Sequence, residues 1–137
     1  MERVVTMKPS ACVVISVVMA VSLTIAPVAA DSDGGKEPTF TKGKFAVPIS
    51  QENVKQDWAA RGYSNPRTNS YPQGWSRGEH THPVSLIMTL LTGRMEFTFG
   101  AQHFVLEPGD ELFYPANTAH SAKNISDSVT QMMSSYK

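Results

Sequence analysis

The chain has 137 residues and balances twelve Lys and Arg against twelve Asp and Glu. That length suits one ordinary domain, and without a basic excess there is no phosphate-gripping surface, so nucleic acid is not an expected partner. The single cysteine, Cys12, falls among the first thirty residues, which excludes disulfides and thiol catalysis from the remainder.

Those first thirty residues differ in kind from the rest. Arg3 and Lys8 make a positive start, residues 11–26 carry no charge, and Val28, Ala29 and Ala30 give a small-residue end before Asp31. This is the pattern of a secretory signal peptide over residues 1–30, with the mature protein secreted or periplasmic. An uncleaved membrane anchor is the competing reading. The apolar run contains Ser16, Ser22 and Thr24 and is short for the roughly 30 Å of bilayer hydrocarbon, so no stable membrane association is expected after cleavage. Residues 31–44 begin Asp31, Ser32, Asp33, Gly34, Gly35, Lys36 and read as a flexible leader; residues 45–137 read as the folded domain.

Residues 45–49 form a short apolar run that Pro48 confines to a sheet edge. Residues 50–61 are the one helical candidate: Ser50 can cap it, Val54 and Trp58 share a face, and Gly62 can end it. From Tyr71 onward, residues 84–91, 95–99, 102–106, 112–114, 120–125 and 129–133 read as strands, with a turn at Pro108, Gly109 and Asp110. Many short strands at this spacing predict an all-β barrel or sandwich, with one short helix ahead of it.

Thr92 and Gly93 predict a tight hairpin. In that register Leu86 faces Phe99, Met88 faces Phe97 and Leu90 faces Met95, an apolar floor for a pocket. Glu96 would pair with Thr89 on the opposite, outer face, where Ile87 and Leu91 also fall; exposed apolar strand residues there would suggest a partner surface.

Two of the four histidines, His80 and His82, stand one residue apart, so an extended strand puts both on one face. Paired imidazoles can begin a metal site or be plain polar surface. The spacing around them is more specific. Gly74 is followed by five residues and His80, then one and His82, three and Leu86, six and Gly93. Later, Gly109 is followed by five residues and Pro115, then one and Asn117, two and His120, three and Asn124.

These blocks resemble the paired motifs of the cupin family, G-x5-H-x-H-x3-E-x6-G and G-x5-P-x-G-x2-H-x3-N. The resemblance implies a single-domain cupin fold, a conical antiparallel β-barrel or jelly roll. It also implies that His80, His82 and His120 ligate a divalent transition metal (Fe, Zn, Cu, Ni or Mn) inside the barrel. Two positions depart from the pattern. Asn117 replaces a turn glycine, which Asn tolerates because it accepts left-handed backbone. Leu86 stands where the family has its glutamate ligand. Glu79, next to His80, points the other way, so three imidazoles lie over an apolar pocket of Leu86, Met88, Leu90, Met95, Phe97, Phe99 and Tyr114.

Three functional readings follow. One is a metal-binding cupin with a small-molecule ligand or substrate in the barrel, acting as a dioxygenase-like enzyme. The second is a non-catalytic metal or ligand binder, and the third a barrel that has lost glutamate and metal together. The family's frequent dimers extend the expectation to a homodimer. His103 has no partner motif and reads as surface; Trp58, Tyr63 and Trp75 read as core or rim; Arg77 and Glu79 read as a solvated pair or as contacts to a polar substrate group.

Overall fold

The computed structural model describes residues 37–137, so the expected signal peptide lies outside the described residues. Nine strands and one helix follow in chain order: β1 (Thr39–Thr41), α1 (Gln51–Ala60), β2 (Ser64–Tyr71), β3 (Ser76–His80), β4 (Leu86–Leu90), β5 (Met95–Phe99), β6 (Gln102–Leu106), β7 (Glu111–Tyr114), β8 (His120–Asn124) and β9 (Thr130–Tyr136). They form two antiparallel sheets, ordered β1-β7-β4-β9-β2 and β3-β8-β5-β6. Their inner faces enclose one apolar core, the arrangement of a jelly roll, and the expected all-β class with one short helix is observed.

The helix forms where its signals lie. Ser50 Oγ accepts the Asn53 N–H at 3.2 Å, and Gly62 ends the helix at φ +86°. Val54 and Trp58 are fully buried against Ile87 and Met133 on the outer face of the five-stranded sheet. Trp58 alone contributes roughly 3 kcal/mol of apolar burial. Its indole N–H donates to Glu111 Oε2 at 3.0 Å, and Arg61 donates to both oxygens of the same carboxylate at 2.8 and 2.9 Å. One buried Glu on β7 therefore anchors both ends of the helix's last turn.

Several expectations are corrected. The span read as a flexible leader contains β1, which pairs Thr39, Phe40 and Thr41 with Phe113, Leu112 and Glu111. The expected edge strand at 45–49 is not a strand; that segment hangs on Phe45 N–H donating to Gly109 O at 3.0 Å. The close approach explains the glycine: a Cβ at Gly109 would stand 2.4 Å from the Phe45 carbonyl oxygen, and its φ is +90°. Strand β2 was not foreseen, since its polar, Pro-containing sequence carries no apolar alternation.

The largest correction concerns Thr92 and Gly93. They do not close a hairpin: β4 pairs with β7 and β9, whereas β5 pairs with β6 and β8 in the other sheet. Thr92 is instead held by β9, its Oγ1 accepting from Gln131 N–H at 3.1 Å, and Gly93 packs where a Cβ would lie 2.0 Å from Thr130 Oγ1. Leu86, Met88 and Leu90 still meet Met95, Phe97 and Phe99, but across the core rather than along a ladder. Glu96 pairs with Val105 and Lys123, not with Thr89. Ile87 is fully buried beneath α1 and Leu91 packs beside it, so the apolar partner surface expected there is already covered by the helix. The homodimer expectation loses that motive.

Asn124 ends β8. Its side-chain amide donates to the carbonyls of Tyr71, Pro72 and Ser128, and its oxygen accepts from Ser126 N–H and Thr130 Oγ1. The second motif's asparagine thus ties the turn after β2 to the β8–β9 connection, a structural role. Among the described residues no helix is long and apolar enough to cross a membrane.

Candidate metal centre

His80 ends β3 and His120 begins β8, and the two are register partners. A ladder pair brings their rings together, tilted by 53° with centroids 4.3 Å apart. His82 lies past the end of β3, on the connection that crosses to β4, so strand alternation is not what places it. Its carbonyl accepts the Asn117 N–H at 2.7 Å, and Asn117 takes φ +60°, the left-handed turn expected of it. This bond holds the crossing chain against the loop before β8. The His82 ring then sits 4.9 Å from His80 and 5.2 Å from His120. One ring nitrogen from each of the three lies within 4.8 Å of the others.

The hydrogen bonds fix which nitrogen is available. His80 Nδ1 is 2.8 Å from Gly78 O, and His120 Nδ1 is 2.9 Å from Thr118 O. A carbonyl only accepts, so each Nδ1 carries the proton and each neutral ring keeps its Nε2 lone pair. Burial supports the neutral form. It pushes His120 down to about 4 and lowers His82, and the neighbouring histidines and Arg77 add repulsion in the same direction. Three ring nitrogens brought together, two of the rings oriented by backbone carbonyls, fit a borderline divalent metal.

A cavity of about 180 Å³ opens beside the triad. Leu86, Met88, Met95, Phe97 and Tyr114 line it. Leu90 and Phe99 belong to the surrounding core instead, with the Phe99 ring stacked 5.5 Å from His120. Tyr114 is buried, its ring 4.4 Å from that of His120, and desolvation raises its phenol pKa so that it stays a hydrogen-bond donor. Leu86 is 4% exposed, so an alkyl wall occupies the position of the family's carboxylate. Glu79 is exposed and outside the lining, and His103 is exposed on β6 beside Thr98 Oγ1.

Other lining residues were missed or only glimpsed. Asn69 and Tyr71 come from β2; Met132, Ser134 and Tyr136 come from β9; Ala122 stands two residues beyond His120. All obey period-two alternation, and reading β9 through to Tyr136 would have found three of them. Trp75 lines the cavity, edge-on to Tyr71 at 4.5 Å, and so does Arg77. Trp58 and Tyr63 sit on the other side of the sheet, with the helix.

The family model for the Cupin domain matches residues 68–136. No curated protein matches the chain. Among solved structures, a cupin domain from Schizosaccharomyces pombe is 18% identical over 52% of this chain and 50% of that one, with a TM-score of 0.49. Drosophila melanogaster CENP-C, solved bound to CAL1, is 19% identical over 53% of this chain and 60% of that one, TM-score 0.48. The DMSP lyase DddQ of Ruegeria pomeroyi is 26% identical over 53% of this chain and 36% of that one, TM-score 0.48. The chain thus spans between about a third and three-fifths of these structures.

Proposed function

Because the chain belongs to the cupin family, we propose that it holds one divalent transition metal on His80, His82 and His120 and binds a small molecule in the adjoining cavity. The observation that carries this reading is the convergence of three ring nitrogens within 4.8 Å, at the mouth of a lined cavity. A metal held by these three residues would supply a Lewis-acid or oxygen-activating centre. The chain's own residues do the rest. Gly78 and Thr118 carbonyls orient two imidazoles, Tyr114 offers a phenol donor, and the methionine and phenylalanine walls exclude water from one side of the cavity.

The test is elemental analysis of protein purified from its native compartment, expecting one transition-metal ion per chain. Metal-free protein that takes up no Zn²⁺, Fe²⁺, Cu²⁺ or Ni²⁺ in titration would sink the reading. Oxygen consumption with candidate substrates then separates an oxygenase from a binding protein. We further propose that the protein acts outside the cytoplasm after cleavage before Asp31, on the strength of the charge-free run and the Val28-Ala29-Ala30 end. Mass spectrometry of exported protein should show a chain starting at Asp31; an intact start on membrane-bound protein would favour an anchor.

A further inference from the structure

The cavity's charge pattern narrows what it takes. Among the described residues no Asp or Glu lines it, and Arg77 is the one permanently charged side chain that does. Arg77 sits on β3, opposite Ala122 of β8 and three residues before His80. Its side chain is exposed at the rim and makes no ion pair among the described residues. The polar groups that join it are neutral: Asn69, Ser134 and the phenols of Tyr71, Tyr114 and Tyr136. Between Tyr114 and Tyr136, its register partners on β7 and β9, stands Leu86, where a carboxylate ligand would have offset metal charge.

Resting on the metal reading above, the geometry points to a small monocarboxylate with an apolar body as the ligand, its carboxylate held between the triad's metal and the Arg77 guanidinium. Three neutral imidazoles leave a divalent ion's charge uncompensated, and Arg77 adds a further positive charge to the same cavity. An anion supplies what the protein omits, and a guanidinium is suited to a planar carboxylate because its N–H groups form a matching fork. The size also selects. At about 180 Å³ the cavity is below the roughly 300 Å³ of drug-sized pockets, so the acid is a compact one. Met88, Met95, Phe97 and Met132 receive its apolar part. Arg77 is thereby a specificity residue, not a metal ligand.

The experiment uses 2-hydroxyisobutyrate and its uncharged amide as paired probes, titrated calorimetrically into Zn²⁺-loaded wild-type, Arg77→Gln and Arg77→Lys proteins, with Zn²⁺ uptake measured first in each. Wild type should bind the acid at least tenfold more tightly than the amide. Arg77→Gln should lose most of that preference while still taking up Zn²⁺, because Arg77 is not one of the three ligands. Arg77→Lys should keep part of it. If Zn²⁺ binds and the acid is not preferred, or Arg77→Gln keeps the full preference, this inference alone is overturned. If wild type takes up no Zn²⁺, the metal reading has failed and this inference falls with it.

Discussion

His80 and His120 are a cross-strand pair, register partners on β3 and β8 whose rings stand 4.3 Å apart. Two elements of one sheet therefore fix two thirds of the triad before any metal arrives, and only His82 depends on the crossing chain. Replacing His120 by Ala should remove most of the metal affinity while leaving the fold intact, since the apolar core and nine strands carry stability independently. Elemental analysis and circular dichroism on one sample check both halves. Full metal content in the variant would mean the ligands are misassigned.

Leu86 lines the same cavity as the histidines and is nearly inaccessible to solvent. Leu86→Glu should therefore act with opposite signs in the two forms. Without metal it buries a carboxylate among apolar groups, at a cost of several kcal/mol unless the acid stays protonated. With metal the carboxylate becomes a charged fourth ligand and binding should tighten. Thermal melts with and without Zn²⁺ read both effects. A variant that melts equally early in both, and binds Zn²⁺ no better than its parent, would leave a metal-free barrel as the better description.

Acid should weaken the metal-free protein through His120. Its folded pKa is held down to about 4, against an ordinary 6.5, mainly by desolvation. Between those values the unfolded chain binds a proton that the folded chain does not, so stability falls as pH drops through that window and is unaffected above it. His82 is shifted the same way and adds to the slope. Urea denaturation across the window should show a shallower pH dependence for His120→Gln than for wild type. Parallel slopes would remove the contribution assigned to His120.

Glu111 accepts three N–H groups from Trp58 and Arg61 while itself almost fully buried. Arg61→Ala leaves that carboxylate with the indole alone. The expected loss is about 2–3 kcal/mol, below the roughly 3–5 of a fully buried broken pair because the Arg61 side chain is 37% exposed and partly screened. Adding Glu111→Gln should recover at least half of it, since no unpaired charge then remains. Chemical denaturation of the single and double variants measures both, and a loss under about 0.5 kcal/mol for Arg61→Ala would show the pair to be a surface contact.

The sequence by itself determined the all-β class, the helix with its Ser50 cap and Gly62 end, and the three histidines. These are local properties: capping, period-two runs and spacing are written in neighbouring residues. Which strands pair is not local. The run at 84–91 and the run at 95–99 look like a hairpin because they are adjacent in sequence, yet β9, about forty residues beyond β4, competes for β4 and wins it. Only that pairing decides that Leu86 and Phe97 meet across a core. The same holds for Ile87, which alternation puts on the outer face. Alternation cannot say that a helix thirty residues earlier covers that face, although the unbroken apolar run 86–88 is what a strand buried on both sides requires. His82 and Arg77 reach the cavity for the same reason: tertiary structure brings the end of β3, the crossing chain and the start of β8 to one mouth, and no spacing rule within a single strand contains that information.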